Sequence, residues 1–145
     1  MTQGGSDSAA RLRGAGLKVT GPRLAILALL EQDPHHPSAE ELHRALRGGH
    51  PSLSLSTVYM TLAAFVRSGL VRRMPETDGR MRVDGFDQPH DHAICRICGN
   101  IFDIPPLPPP ELPSLLPSDL ELLCLRIEYD VLCTACRREA RSAET

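Results

Sequence analysis

Between His90 and Cys98 the chain reads H-D-H-A-I-C-R-I-C, which places two imidazoles, a carboxylate and two thiols within nine residues. Two metal chemistries meet there. Cys95 and Cys98 have the spacing of a tight zinc knuckle, and the same spacing returns at Cys133 and Cys136, with 34 residues between the two pairs. Four thiolates so spaced close a tetrahedral zinc site with no open position, which serves folding. A redox dithiol instead uses one such pair on a thioredoxin-like pattern, and that pattern is absent. Ahead of the knuckle His90 and His92 alternate, and alternate residues of a strand share a face. If the strands flanking the knuckle pair antiparallel with Ile94 opposite Ile101, Asp103 falls opposite His92 and joins both imidazoles. Imidazoles with carboxylates suit divalent iron, manganese or zinc, and more oxygen ligands favour the first two.

Two further groups are free to swing toward that face. Asp84 lies in a Gly- and Pro-marked hinge, and His36 sits just outside a helix start at Ser38. A metal held by both halves of the chain would lock their relative orientation and turn binding energy into a conformational bias. An isolated histidine is more often a surface side chain, and His35, His43 and His50 are read that way. Cys124, in the apolar run L-E-L-L-C-L-R-I, is read as a small buried core residue.

The elements that must position these groups fall into two modules, and charge separates them. Residues 1–83 carry eleven Lys/Arg against seven Asp/Glu, whereas residues 84–145 carry five against eleven. A basic half and an acidic half call for different partners, phosphate for one and cations for the other. No apolar run approaches the ~18 residues of a membrane span, and the first residues, M-T-Q-G-G-S-D-S, have no basic and apolar signal. The chain is therefore expected in the cytoplasm, where a reducing environment makes paired cysteines zinc ligands rather than disulfides.

In the basic half, a short helix over 8–15 precedes a second one capped by Thr20 with Pro22 in its first turn. Ser38 and Glu41 form a capping box for a third. Ser54 caps a fourth, running to about Ser68, whose apolar stripe is Leu55, Val58, Leu62, Phe65 and Val66. Its other face, Ser56, Thr57, Met60, Ala64 and Arg67, is small and uncharged enough to lie against something. L-V-R-R-M and R-M-R-V-D then make a hairpin carrying Arg72, Arg73, Arg80 and Arg82. Helices followed by a basic hairpin are the pattern of a winged helix-turn-helix, with the last helix in the DNA major groove and the hairpin along the backbone. After the hinge at 84–89, the acidic half reads as a strand to Cys95, a knuckle and a strand over 100–104. A Pro-rich crossover, with at most one or two helical turns near 111–116, acts as a stiff connector. A strand over 120–128, a short strand at Val131-Leu132 and a terminal helix at the second knuckle complete it.

From about Ala9 to Arg138 the chain resembles the ferric-uptake-regulator (Fur) family of metal-dependent transcriptional repressors. The matching stretches are G-L-K-V-T-G-P-R, H-P-S-A-E-E-L, S-L-S-T-V-Y, G-L-V-R-R, H-D-H-A-I-C-R-I-C-G and the second C-T-A-C. The resemblance implies an α+β protein: a winged-helix DNA-binding domain at 1–83, and an α/β dimerisation domain with a structural zinc at 90–145. It implies a homodimer that binds double-stranded operator DNA once a regulatory metal closes it, without enzymatic activity, an organic substrate or a membrane. By position, the regulatory ligands fall on His36, Asp84, His90, His92 and Asp103, and the structural Zn2+ on Cys95, Cys98, Cys133 and Cys136. For DNA, the resemblance points to Tyr59 beside thymine, Lys18 and Arg23 near the backbone or minor groove, and Ser56 and Thr57 at the helix start.

Three departures matter. Met60 stands where many members carry Arg, the crossover helix is shortened and Pro-broken, and an additional metal site of some members meets Pro89, Asp91, Pro110 and Leu125, of which only Asp91 can coordinate. That site is expected to be absent. Asp at position 103 resembles the peroxide-responsive branch, in which bound Fe2+ directs oxidation onto a His ligand; a manganese- or zinc-uptake regulator has the same ligands available. A metal hydrolase would need an open coordination position and a substrate pocket, which the sequence does not supply. A zinc-ribbon protein-binding module would leave the basic half unexplained.

Overall fold

Side-chain caps divide the first half into helices where the sequence places them. The computed structural model describes residues 4–33, 35–76, 78–85, 89–108, 116–122 and 125–143. The chain divides into two compact units, Met1–Asp87 and Gln88–Thr145.

In the first unit, helix α1 covers Gly4–Gly14, α2 Gly21–Gln32, α3 Ala39–Leu46 and α4 Leu55–Arg67. Thr20 Oγ1 accepts from the Arg23 amide at 3.4 Å and Pro22 stands in the first turn of α2. Ser38 closes its capping box: its Oγ accepts from Glu41 N at 3.2 Å and its own N–H donates to Glu41 Oε2 at 2.7 Å. Ser54 Oγ accepts from Thr57 N at 3.1 Å. Each cap satisfies amides that the helix cannot, a contribution of about 1 kcal/mol apiece. Helix α1 begins earlier than the expected Ser8.

Leu12, Ile26, Leu27, Leu30, Leu42, Val58, Leu62 and Phe65 form the buried core, each contributing about 1.5–3 kcal/mol over the exposed side chain. Val58, Leu62 and Phe65 are the expected stripe of α4; Thr61 joins them in the interior, while Leu55 and Val66 are only half-buried. At the end of α4, Gly69 takes a φ of +74°. Leu70 N can then donate back to Phe65 O at 2.9 Å and turn the chain out of the helix.

The hairpin is shorter than its sequence. Strand β1, Arg72–Arg73, pairs antiparallel with β2, Val83–Asp84, in the register Arg72↔Asp84 and Arg73↔Val83. A bridge between Ser38 and Arg82 ties the segment before β2 to the start of α3. Asp84, read from the sequence as the first hinge residue, is instead the buried end of β2, because that pairing draws it into the sheet. Gly85 follows, and a Cβ there would lie 2.7 Å from Leu30 Cβ, so only glycine allows the chain this close to α2. Phe86, Asp87 and Gln88 of the expected hinge lie outside the described residues. Helices with a two-stranded hairpin make this unit a winged helix.

Among its described residues, the second unit is a three-stranded sheet with one helix. Strand β3 covers Asp91–Cys95, β4 Ile101–Ile104 and β5 Glu128–Val131, and the strand order is β4-β3-β5. β3 and β4 pair antiparallel with Ile94 opposite Ile101 and His92 opposite Asp103, the register the alternation predicts. β5 lies parallel to β3, with Cys95 beside Val131. The strand expected over 120–128 is corrected: its described residues before Glu128 are not strand, and Leu120, Leu122 and Leu125 are exposed. Helix α5, Thr134–Ala143, starts at the second knuckle as expected. Cys124 and most of the expected crossover helix, 111–115, lie outside the described residues. Ala93, Ile94, Cys95, Ile101 and Cys136 are buried, a core small enough to need a further source of cohesion.

Candidate metal centres and nucleic-acid interface

The parallel partnership of β3 and β5 determines where the thiols meet. Both strands run toward the same end of the sheet, so the knuckle leaving β3 and the one following β5 arrive together. Arg96 N donates to Val131 O at 3.0 Å, and Cys133 N donates to Cys95 Sγ at 3.4 Å. Gly99, with φ of +73°, turns the first knuckle back so that Cys95 N reaches Asn100 O at 2.9 Å. One sulfur from each of Cys95, Cys98, Cys133 and Cys136 lies within 4.8 Å of the others, and Cys98 and Cys133 are 3.8 Å apart. Sulfurs ~2.3 Å from a zinc ion are ~3.8 Å from one another in a tetrahedron.

The protonation of these thiols points the same way. Amide N–H groups of Cys133 and Cys98 directed at Cys95 hold its thiol down, to about 6. A hydrogen bond shared with Cys133, and burial, push Cys136 up to about 12. Four sulfurs this close cannot all ionise without a cation among them, and zinc fits the donor set.

On the neighbouring positions of the same sheet, the β3–β4 register gathers His90, His92 and Asp103. The Nε2 atoms of His90 and His92 are 3.0 Å apart, and Asp103 Oδ1 stands 3.7 Å and 3.6 Å from them. The two rings meet edge to face at 79°. Ligand atoms ~2.1 Å from one metal are ~3.0 Å apart at right angles and ~3.6 Å apart at wider angles, so the donor set fits around a divalent ion with nitrogen and oxygen ligands. Asp91, the one residue able to coordinate in the additional site, accepts a hydrogen bond from Leu107 N at 3.0 Å. Pro110 of that site lies outside the described residues.

In the first unit His36 and Asp84 come together. Both are buried, and His36 Nδ1 stands 3.9 Å from Asp84 Oδ1. His36 has φ of +51°, a sparsely populated conformation for a side-chain-bearing residue, held only where surroundings impose it. Arg82 supplies part of that constraint. Its guanidinium donates to His36 O at 3.0 Å, to Glu41 Oε2 at 3.1 Å and to Asp78 Oδ2 at 3.0 Å. Burial opposes the charge on Arg82, but the Asp78 and Glu41 carboxylates outweigh it and raise its pKa. Arg72 meanwhile reaches Asp84 Oδ2 at 3.2 Å, and Arg73 pairs with Glu76. Three of the four arginines read as a DNA-facing hairpin charge are thus paired with carboxylates of their own unit, a role that local charge counting does not reveal.

The exposed side of α4 carries the sequence-expected DNA residues. Ser56 and Thr57 are exposed, and the Thr57 hydroxyl lies 2.8 Å from that of Ser54. Arg23 donates to Lys18 O at 3.0 Å, tying the approach to α2 against its first turn. A groove of about 460 Å³ runs between these elements, lined by Lys18, Thr20, Pro22, Arg23, Thr57, Met60, Thr61, Ala64 and Arg67. Tyr59 is half-buried and donates its hydroxyl to Glu40 Oε1 at 2.6 Å. That bond lowers the Glu40 pKa and raises that of Tyr59. Sequence reasoning missed Glu40, whose signal, one polar residue inside a capping box, is no different from a solvated helix face.

Comparison with known proteins gives these sites their context. The model of the ferric uptake regulator family matches residues 14–107. The peroxide-responsive repressor PerR of Staphylococcus saprophyticus is 35% identical over 133 residues, covering 90% of each chain. The ferric uptake regulator of Pseudomonas aeruginosa, solved with manganese, superposes with a TM-score of 0.67 at 29% identity over 88% of this chain and 98% of that one. A zinc-bound manganese uptake regulator superposes with a TM-score of 0.60 at 28% identity over 86% of this chain and 96% of that one. With a winged helix, a sulfur cluster and a histidine–carboxylate cluster on the expected scaffold, the chain belongs to the ferric uptake regulator family.

Proposed function

We propose that this metal-dependent transcriptional repressor works in the cytoplasm as a homodimer on operator DNA, is not an enzyme, and uses its two donor sets for different ends. The observation that carries the reading is the separation of ligand chemistry within one short stretch: soft thiolates in a closed cluster, and beside them imidazoles with a carboxylate. Cys95, Cys98, Cys133 and Cys136 hold a structural Zn2+. His90, His92 and Asp103, together with His36 and Asp84 from the winged-helix unit, hold a regulatory Fe2+ or Mn2+, with Zn2+ as a further occupant. The regulatory metal supplies a link between donors of the two units, and DNA affinity rises because one orientation of the winged helices is favoured. The division assigns the winged-helix unit through Asp84 to DNA binding and 90–145 to metal binding and dimerisation, with a hinge between them. Exposed Phe102, Leu120, Leu122 and Leu125 on so small a unit support association with a second copy. Lys18, Arg23, Ser56, Thr57 and Tyr59 provide the DNA contacts.

Fluorescence anisotropy with protein retaining its zinc tests the reading. Binding to a selected duplex is expected to appear on addition of Mn2+ or Fe2+ and to vanish on chelation under conditions that leave zinc in place. Equal binding with and without the regulatory metal would remove it.

A peroxide-responsive role is favoured by Asp103 and by the likeness to a peroxide-responsive repressor. Mild peroxide on the Fe2+-loaded protein is expected to add one oxygen atom to His36 or His90, read by peptide mass spectrometry, and to release DNA. Unmodified histidines would leave control by metal supply as the function.

A further inference from the structure

Among the described residues of the winged-helix unit, Met60 is the only large apolar side chain left exposed, at 70%. It sits on α4 beside Tyr59, and the groove it lines has Lys18, Arg23 and Arg67 around it and Pro22 and Ala64 on its walls. Cations around an apolar centre complement a particular ligand chemistry. Duplex DNA presents phosphates on both sides of the major groove, and within it the thymine C5-methyl is the apolar group on display. The thioether chain of methionine is flexible and polarisable, and it carries no donor to satisfy, so it can close over a methyl group without the geometric demands of a hydrogen bond.

Resting on the reading of α4 as the recognition helix, we propose that Met60 is a specificity-determining residue that reads a thymine in the operator through its C5-methyl group. Tyr59, half-buried and bonded to Glu40 through its hydroxyl, keeps only part of its ring for a thymine, so any contact it makes is separate from that of the exposed Met60. Lys18, Arg23 and Arg67 supply sequence-independent attraction to phosphate, so discrimination falls to the neutral side chain among them.

The test removes one methyl group from the DNA and leaves every hydrogen-bonding group in place. A duplex is selected from a random library with the Mn2+-loaded, zinc-containing protein, and each thymine is then replaced singly by deoxyuridine. The wild type is expected to lose about fourfold in affinity at one thymine in each half-site, the value of one methyl group removed from water. Met60→Gln, of similar length but polar, should lose that sensitivity at that thymine while keeping metal-dependent binding and normal thermal unfolding, because the side chain is exposed. The inference is overturned if no deoxyuridine weakens the wild type, or if Met60→Gln remains equally sensitive at every position. It is also overturned, together with the proposed function, if the metal-loaded protein enriches no duplex; a groove that instead docks an apolar protein segment would give that result.

Discussion

Cys98→Ser is expected to leave the chain without zinc and the second unit without a stable fold, so that dimerisation and operator binding are lost together. The magnitude follows from how little else holds that unit. Its buried apolar residues are few, whereas a structural zinc site contributes about 10–16 kcal/mol at neutral pH. Losing one of four sulfurs lowers that figure and leaves the remaining thiols crowded around a weaker site. The winged-helix unit has its own core around Leu27, Leu62 and Phe65, so helical circular dichroism should fall only in part. Zinc content per chain, sedimentation velocity and circular dichroism read the three effects. A dimeric, folded Cys98→Ser protein with undiminished zinc would sink the structural assignment.

His92→Ala is expected to do the opposite. Zinc, fold and dimer should persist, because His92 belongs to the imidazole and carboxylate cluster and is not one of the four sulfur donors. What should disappear is the gain in operator affinity on adding regulatory metal. Such coupling is typically about 5- to 150-fold, and removing a donor 3.0 Å from His90 and 3.6 Å from Asp103 should bring it close to unity. Titration with Mn2+, watched by anisotropy of a labelled duplex alongside zinc analysis, separates the two variants. Equal damage from both substitutions would mean that there is one site, not two.

Legibility in the sequence followed the range of the interactions concerned. The three side-chain caps and the pairing of His92 with Asp103 depend on residues close in sequence, and all are found as expected. The true start of β5 is different. An apolar run over 120–127 looks like a strand, but the residues that pair are E-Y-D-V, selected because their parallel register carries Cys133 to Cys95. No local periodicity contains that constraint. Arg82 differs for a similar reason: its partner Glu41 lies on α3, so a basic hairpin residue became a half-buried brace only once the chain had folded. Asp84 and His36 were visible as candidates, yet the strained backbone of one and the strand position of the other follow from packing.

The mixed pairing of the second sheet also has a temporal meaning. β3 and β4 are joined by a short turn and can close as soon as both exist, since bringing near neighbours together costs little chain entropy. β5 enters beside β3 only after the long connection from β4, and the last two thiols follow it. During synthesis the nascent chain therefore carries half a sulfur cluster until the segment with Cys133 and Cys136 emerges. A ribosome that stops before Cys136 releases a product whose winged-helix core is already formed and whose sulfur cluster is unfinished. The order of the cysteines makes the emergence of Cys136 a condition for closing the second unit.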